Sequence, residues 1–468
     1  MDIIQKGLGI EADSDRFRYL LELKHMPELR RALRFERPTG HHRFEDEQVY
    51  PQDGSWIAQY LLHAQASEPP IAWHFWVGLS ILGAICRRNI YIDKNVFYIW
   101  PNLFLMLVGP TTSKKSTAMN IGREVLERAN EYLEKQNVKD YRRIRIIPQR
   151  CTPERFVQLM KSESIIETHG TNVLGHVDTE SVGVIFNSEI VVMLGKTAFH
   201  ADNWVTMVTA LYDCPDKYDG STIGRGDEML HNVALTFVGG STADWIRSSV
   251  TEVMFGGGFM GRFIFSRRQD RRREYPEPEP IDPVMQRWLA EEVLHYSQMA
   301  VQEFVRPPAW KAYFQDWYHE NKQIIAEDVK MEGYYGRKPI HLEKVAMLIG
   351  LSRGSCTGVV EDLELARKVL DIEEKHLPKL FGEMLAHQDS LVSDRIYNTI
   401  VRNGRTILQS TLLRKMIRDV GNAFTLKRYL ETLQAEGRIK PKYDKVKRAT
   451  FWVAMHVDPD DDEPDPGA

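Results

Sequence analysis

Residues 103–120 read LFLMLVGPTTSKKSTAMN. Residues 103–108 are an unbroken apolar run closed by Gly109-Pro110, as in a strand buried on both faces of a parallel sheet. From Ser116 to about Gln136 the chain turns polar-rich and amphipathic, which predicts a helix. The junction matches the phosphate-binding loop G-x-x-x-x-G-K-[ST], which lies between a strand and a helix. Gly109, Lys115 and Ser116 hold their places, while Lys114 stands where the second glycine belongs. Such a loop turns its backbone N–H groups, here those of Thr111, Thr112, Ser113, Lys114 and on to Thr117, around phosphates at the positive end of a helix. Lys115 is then expected to reach the β- and γ-phosphates of ATP, and Ser116 to ligate Mg²⁺. The second glycine normally permits close backbone approach, so Lys114 bears directly on the loop's geometry.

Beyond the loop, strand-like runs at 144–147, 182–186, 233–238 and 263–265 alternate with helical ones, predicting a parallel α/β core. The run VGVIFNSEIVVML carries Asn187-Ser188-Glu189 where a nucleotide-hydrolysing strand would end in an acidic pair. Glu189 is the candidate base that polarises the attacking water, and Ser188 replaces the first acid. In NVALTFVGGSTADWI, Ser241 and Thr242 close a strand where a γ-phosphate sensor would sit. In GGGFMGRFIFSRR, Arg262 lies between a glycine-rich loop and a strand, and is the candidate arginine finger supplied to a neighbouring subunit.

The 468 residues carry 61 Lys+Arg against 65 Asp+Glu, a formal charge of −4, so any nucleic-acid contact must rest on local basic patches. Hydrophobic residues at 43% and charged residues at 27% exclude a disordered or collagen-like chain. The 4 cysteines are scattered without a Cys-x-x-Cys pair, which argues against a zinc ribbon or disulfide framework and for a reducing, cytoplasmic setting. The histidines lack ligand spacing. The longest apolar run, 71–86, falls short of the roughly 20 residues of a membrane span and contains His74, so a buried helix is expected. The expected organisation is a charged lead-in over 1–50, a helical region with strands over 51–100 and the core over 101–270. A helical region over 271–390 follows a charged, proline-rich linker at 267–279. A DNA-binding domain over 391–456 and an acidic tail over 457–468 complete the chain.

Residues 394–402, 410–418 and 424–435 read as three short helices, with Ser410 as an N-cap, followed by strand-like runs at 438–440 and 450–454. Three helices and a hairpin are the pattern of a winged helix-turn-helix. The segment holds fourteen basic side chains against five acidic ones, a surplus that suits phosphate contacts. Lys427 and Arg428 fall near the start of the third helix; Lys445, Lys447 and Arg448 form the expected wing.

Taken in order, WIAQYLLHAQASEPPIAWHFWVGLSILGAICRRNIYI, WPNLFLMLVGPTTSKKSTA, FNSEIVVMLGK, ALYDCPDKYD, VALTFVGGSTADWI and GGGFMGRFIFSRR resemble a domain-of-unknown-function family of P-loop ATPases from phages, plasmids and other mobile elements. Its members are labelled RepA-like or primase-associated replication helicases of RecA/AAA+-like type. The resemblance spans about residues 54–355. It implies a P-loop NTPase core with a parallel sheet and flanking helical regions, binding ATP and Mg²⁺. It also implies a homo-oligomeric ring such as a hexamer, acting on DNA with primase or other replication proteins as partners. It assigns Lys115 and Ser116 to nucleotide, Glu189 to catalysis, Ser241 and Thr242 to sensing and Arg262 to the finger. It adds Arg337 or Lys344 as a nucleotide contact. Lys114 and Ser188 depart from the family pattern at the hydrolytic centre. The alternative expectation is therefore a nucleotide-gated DNA-binding or helicase-loader protein with little or no hydrolysis.

Overall fold

The computed structural model describes residues 49–51, 53–135, 144–161, 180–190, 193, 198–219, 229–243, 246, 258–268, 283–325, 331–444 and 449–455. Two compact units divide the chain, Met1–Pro378 and Lys379–Ala468. The first unit opens with α1 (Trp56–Ala64) and α2 (Ile71–Cys86). Pro69-Pro70 separates them, since Pro70 has no N–H to continue a helix. The hairpin β1 (Ile90–Asp93) and β2 (Tyr98–Ile99) leads to β3 (Phe104–Val108). A 3₁₀ turn at Thr111–Ser113 precedes α3 (Lys115–Lys135). β4 (Arg145–Ile147), α4 (Pro153–Met160), β5 (Ser181–Asn187) and α5 (Ala198–Leu211) follow. The short hairpin β6 (Lys217–Asp219) and β7 (Met229–His231) then precedes β8 (Val233–Ser241) and β9 (Ile264–Arg267).

Five of these strands form one parallel sheet in the order β4-β5-β8-β3-β9. The chain leaves β3 for the far edge at β4, returns through β5 and β8, then passes β3 to add β9. The exits from β3 and β8 therefore run in opposite directions. Right-handed crossovers place α3, which follows β3, on the opposite face from α4 and α5, which follow β4 and β5, with a crevice at the strands' carboxyl ends, where such sheets bind ligands. The packing agrees. On one face α2 and α3 bury Trp73, Val77, Ile81 and Val125 with Leu105, Leu107, Val184 and Val238. On the other, α4 and α5 meet through Phe156 and Trp204, and Phe104 stacks edge-on against Tyr212. Burial on both faces explains why β3, β5 and β8 are solidly apolar.

Helices α6 (Pro283–Gln298), α7 (Pro308–Ile325), α8 (Glu332–Tyr335), α9 (Lys338–Ser352) and α10 (Val360–Glu374) complete the unit. One short strand, β10 (Gln302–Glu303), pairs in parallel with β1. Arg267 and Arg268, expected to open a linker, instead finish and extend β9: Arg268 donates its N–H to the Val108 carbonyl at 2.9 Å. Its guanidinium is buried against Glu373 of α10, at 2.8 and 3.1 Å.

The second unit contains most of α11 (Leu377–Arg402), then β11 (Thr406–Leu408), α12 (Gln409–Val420), α13 (Ala423–Ala435), β12 (Ile439–Asp444) and β13 (Ala449–Ala454). Its three strands form an antiparallel sheet, order β11-β13-β12. Ile396, Ile407, Leu412, Leu426, Leu430 and Trp452 are among its buried core residues. Strand β11 was not expected; it runs straight into α12, so Leu408 takes the cap position and Ser410 lies inside the helix. Asn422 caps α13 instead, accepting the Thr425 N–H at 2.9 Å.

No helix among the described residues is long and apolar enough to cross a membrane.

Candidate functional site

The crevice between β3 and β8 receives the loop after β3. Val108 pairs with Ser241 in register, and Gly109 donates its N–H to the Ser241 carbonyl at 3.1 Å. A side chain at Gly109 would place its Cβ 2.6 Å from the Arg268 carbonyl oxygen and 2.9 Å from Trp73, so only glycine fits there. Thr111–Ser113 form the 3₁₀ turn; Thr111 and Thr112 face solvent, while Ser113 is buried and donates to the Pro110 carbonyl at 2.5 Å. Lys114 then adopts φ 63°, ψ 32° and hands over to α3 at Lys115. This is the left-handed conformation that favours glycine and costs other L-residues roughly 1–2 kcal/mol. Lysine here holds a backbone conformation that glycine would adopt without strain. Its Nζ pairs with Glu68 at 3.1 Å, a partner in the α1–α2 connection that no local motif announces. Because alanine and glycine both remove that pair, their comparison isolates the backbone. Lys114→Gly is expected to be more stable than Lys114→Ala by about 1 kcal/mol, read from paired denaturation curves.

Lys115 bends back into the loop. Its Nζ donates to the Gly109 and Pro110 carbonyls, both at 2.7 Å, and to Ser113 Oγ at 3.4 Å. Burial lowers its pKa to about 8, with the Glu189 charge acting the other way. A phosphate in the cup would offer the same ammonium fully charged oxygens. Ser116 is exposed and Thr117 half-buried at the start of α3, where the helix N-terminus adds positive potential.

Asn187, Ser188 and Glu189 arrive beside them. Asn187 at the end of β5 pairs with Gly239 and is fully buried; its Nδ2 donates to the Gln149 carbonyl at 3.2 Å and its Oδ1 accepts the Glu189 N–H at 3.0 Å. This turn leaves Glu189 exposed at the crevice. The Ser188 carbonyl lies 2.8 Å from where a Gly240 Cβ would be, so the ends of β5 and β8 touch. Ser241 is buried and Thr242 half-buried at the end of β8. Lys115, Ser116, Glu189, Ser241 and Thr242 thus gather at one end of the sheet.

The residues fit a nucleoside triphosphate: a glycine-tight turn, an inward ammonium with replaceable partners, and a helix N-terminus. The described residues contain no group of three His, Cys, Asp or Glu able to hold a metal ion by itself. A Mg²⁺ here would rest on Ser116, the phosphates and water, which suits a cation that keeps much of its hydration.

Arg262 is elsewhere. It ends the 3₁₀ turn Met260–Arg262 just before β9, at the amino end of the sheet. Five residues of β3 at about 3.3 Å each put roughly 16 Å between the two ends, beyond the reach of an arginine side chain. Arg337 and Lys344 are also at this end. Lys344 is buried, donates to Asn102 Oδ1 at 2.6 Å and to the Asn102 carbonyl at 3.0 Å, and lies 4.1 Å from the centre of the Tyr212 ring. It braces the entry to β3 and is no contact for a nucleotide on its own chain.

In the second unit, Lys427 and Arg428 are exposed on α13, and Phe424, 82% exposed, shares their face. Phe424 was not anticipated; its position three and four residues before the two cations is the signal that identifies it. Lys445, Lys447 and Arg448 lie outside the described residues.

No protein-family model matches the chain, and no curated protein matches it. Among solved structures it is similar to a full-length MCM homolog from Methanopyrus kandleri, at 10% identity and a TM-score of 0.38. That match covers 67% of this chain and 57% of the other, so the chain spans little more than half of that protein's length. The parallel sheet flanked by helices is consistent with a P-loop NTPase core.

Proposed function

We propose that this chain is an ATP-dependent DNA motor, a replication helicase of a phage or other mobile element that works as a ring. The carrying observation is the convergence of Lys115, Ser241 and Glu189 at the crevice beside β3. In this reading the amides from Thr111 to Thr117 and the Lys115 ammonium hold the triphosphate. Ser116 supports Mg²⁺, whose charge offsets that of the phosphates. Glu189 orients and deprotonates the attacking water, and Ser241 and Thr242 report on the γ-phosphate. Arg262 serves the site of the adjoining subunit, since its own lies too far away. Cytoplasmic action and a primase partner belong to the same reading.

The second unit is read as a winged helix: helix, strand, two helices and a hairpin, with α13 presenting Phe424, Lys427 and Arg428 to DNA. Replacing Lys427 and Arg428 together by alanine is expected to weaken DNA binding on every sequence. It should also flatten the plot of log affinity against log salt by about 2, as loss of two phosphate contacts requires. An unchanged slope in a fluorescence titration would remove α13 from the interface.

The experiment that tests the motor is ATP turnover with and without DNA. DNA-stimulated hydrolysis is expected in the wild type and not in Lys115→Ala. Glu189→Gln should bind ATP but turn it over about 10²–10⁴-fold more slowly, the usual worth of a general base. One observation favours a second reading. Ser188 supplies no carboxylate at the end of β5, and the buried Asn187 amide is already engaged with Gln149 and Glu189. Nucleotide binding without turnover in the wild type would identify a nucleotide-gated DNA-binding or loader protein.

A further inference from the structure

The two neighbouring lysines of the loop after β3 take different partners. Lys115 turns inward, onto the Gly109 and Pro110 carbonyls. Lys114 instead reaches the α1–α2 connection, where its Nζ lies 3.1 Å from Glu68 Oε2. That connection is built against the loop. Ser67, beside Glu68, donates its hydroxyl to the Ala64 carbonyl at 2.6 Å and lies 2.9 Å from His74 Nε2. His74 and Trp73 are both buried in the first turn of α2. Trp73 donates its Nε1–H to the Ser266 carbonyl of β9 at 3.1 Å, and its ring closes on Gly109. Glu68 is therefore a carboxylate fixed at the edge of the loop, 14% exposed against 45% for Lys114. Of the pair, the lysine is the partner with room to move.

For the turn itself lysine is a poor choice, because it holds φ 63° where glycine would be unstrained. One ion pair with a half-exposed partner returns less than that strain costs, since solvent screens it and the long side chain gives up rotamer freedom. Stability alone favours glycine at this position, and strain of this kind marks residues with a function. What the lysine adds is a second ammonium, one residue from Lys115, on a flexible four-carbon stem.

We propose that Lys114 is a second phosphate-binding cation of this loop and that Glu68 is the counter-ion it exchanges for the triphosphate. The inference rests on the nucleotide site proposed above. The ammonium takes one of two partners, the Glu68 carboxylate or the more highly charged phosphates. Glu68 thus competes with the nucleotide for Lys114, and its own charge opposes an anion in the loop. The two residues therefore act on affinity with opposite signs. A pair that merely braced the turn would act with one sign, because losing either partner would loosen the loop.

The test is calorimetric titration of ATP with Mg²⁺ into the full chain as wild type, Lys114→Gly, Glu68→Gln and the double variant, with a melting curve for each. Lys114→Gly is expected to melt no lower than the wild type, since the turn is relieved. It should nevertheless bind ATP about tenfold more weakly, the worth of one hydrogen bond to a charged group. Glu68→Gln should bind about threefold more tightly, because a half-exposed pair no longer has to be broken. The double variant should fall between the wild type and Lys114→Gly, since neither competition nor repulsion from Glu68 remains. Glu68→Gln binding no more tightly than the wild type, or Lys114→Gly binding as tightly as it, overturns the proposal. If Lys115→Ala alone weakens binding, this inference fails and the nucleotide site stands. A wild type that binds no ATP removes the site and the inference together.

Discussion

Lys115→Ala is expected to weaken ATP binding at least about thirtyfold while leaving the chain folded. In the wild type Lys115 is 8% exposed and its ammonium is fixed by two carbonyls at 2.7 Å, so it is aimed before any phosphate arrives. Truncating one partner of a buried, hydrogen-bonded charge pair costs about 2–5 kcal/mol, or roughly thirtyfold to several-thousandfold in affinity. The fold should tolerate the change, because the two carbonyls released lie at the crevice, where Pro110 is exposed and water can replace the ammonium. Calorimetric titration of ATP into wild type and variant measures the loss. An affinity within threefold of the wild type would mean that Lys115 serves the turn alone.

The second large effect is on stability. Glu373 is buried and accepts from Arg268, from Trp76 Nε1 at 2.7 Å and from Ser266 Oγ at 3.0 Å. Through Arg268 it fixes the end of β9 against the turn after β3, where the Arg268 carbonyl closes on Gly109. Glu373→Ala would leave a guanidinium buried without its counter-charge, at a cost of about 3–5 kcal/mol. Arg268→Met combined with Glu373→Leu should lose less than Glu373→Ala alone, because no buried charge is then stranded. Chemical denaturation of the three proteins gives the comparison. A loss below about 1 kcal/mol for Glu373→Ala would show that water reaches Arg268.

Local patterns carried the sheet. β3, β5 and β8 are apolar because both faces are covered, and runs of that kind stand out against polar helices and loops. The turn between β3 and α3 was readable from Gly109-Pro110 closing the apolar run and from the amphipathic pattern that follows. What joins distant segments was not readable. Nothing near Lys114 points to Glu68, nothing near Asp213 announces that Arg262 and Arg337 share it, and Arg268 in a charged run gave no sign of a buried partner in α10. Lys344 is the converse case: a lysine in a helix after the core looks accessible in the sequence, yet it is buried against Asn102 and Tyr212. In the second unit the basic surplus was visible, but strand β11 is three residues long and escaped notice. Only the antiparallel pairing of Thr406–Leu408 with β13 gives it an identity.

The most direct test is a crystal structure of the full chain with Mg²⁺ and a non-hydrolysable ATP analogue. The expected result is a triphosphate wrapped by the amides between Thr111 and Thr117, with Lys115 Nζ moved from the Gly109 and Pro110 carbonyls onto the phosphates and Glu189 facing the γ-phosphate. Analogue at saturating concentration with Lys115 still bonded to those two carbonyls, and no phosphate in the turn, would contradict the account.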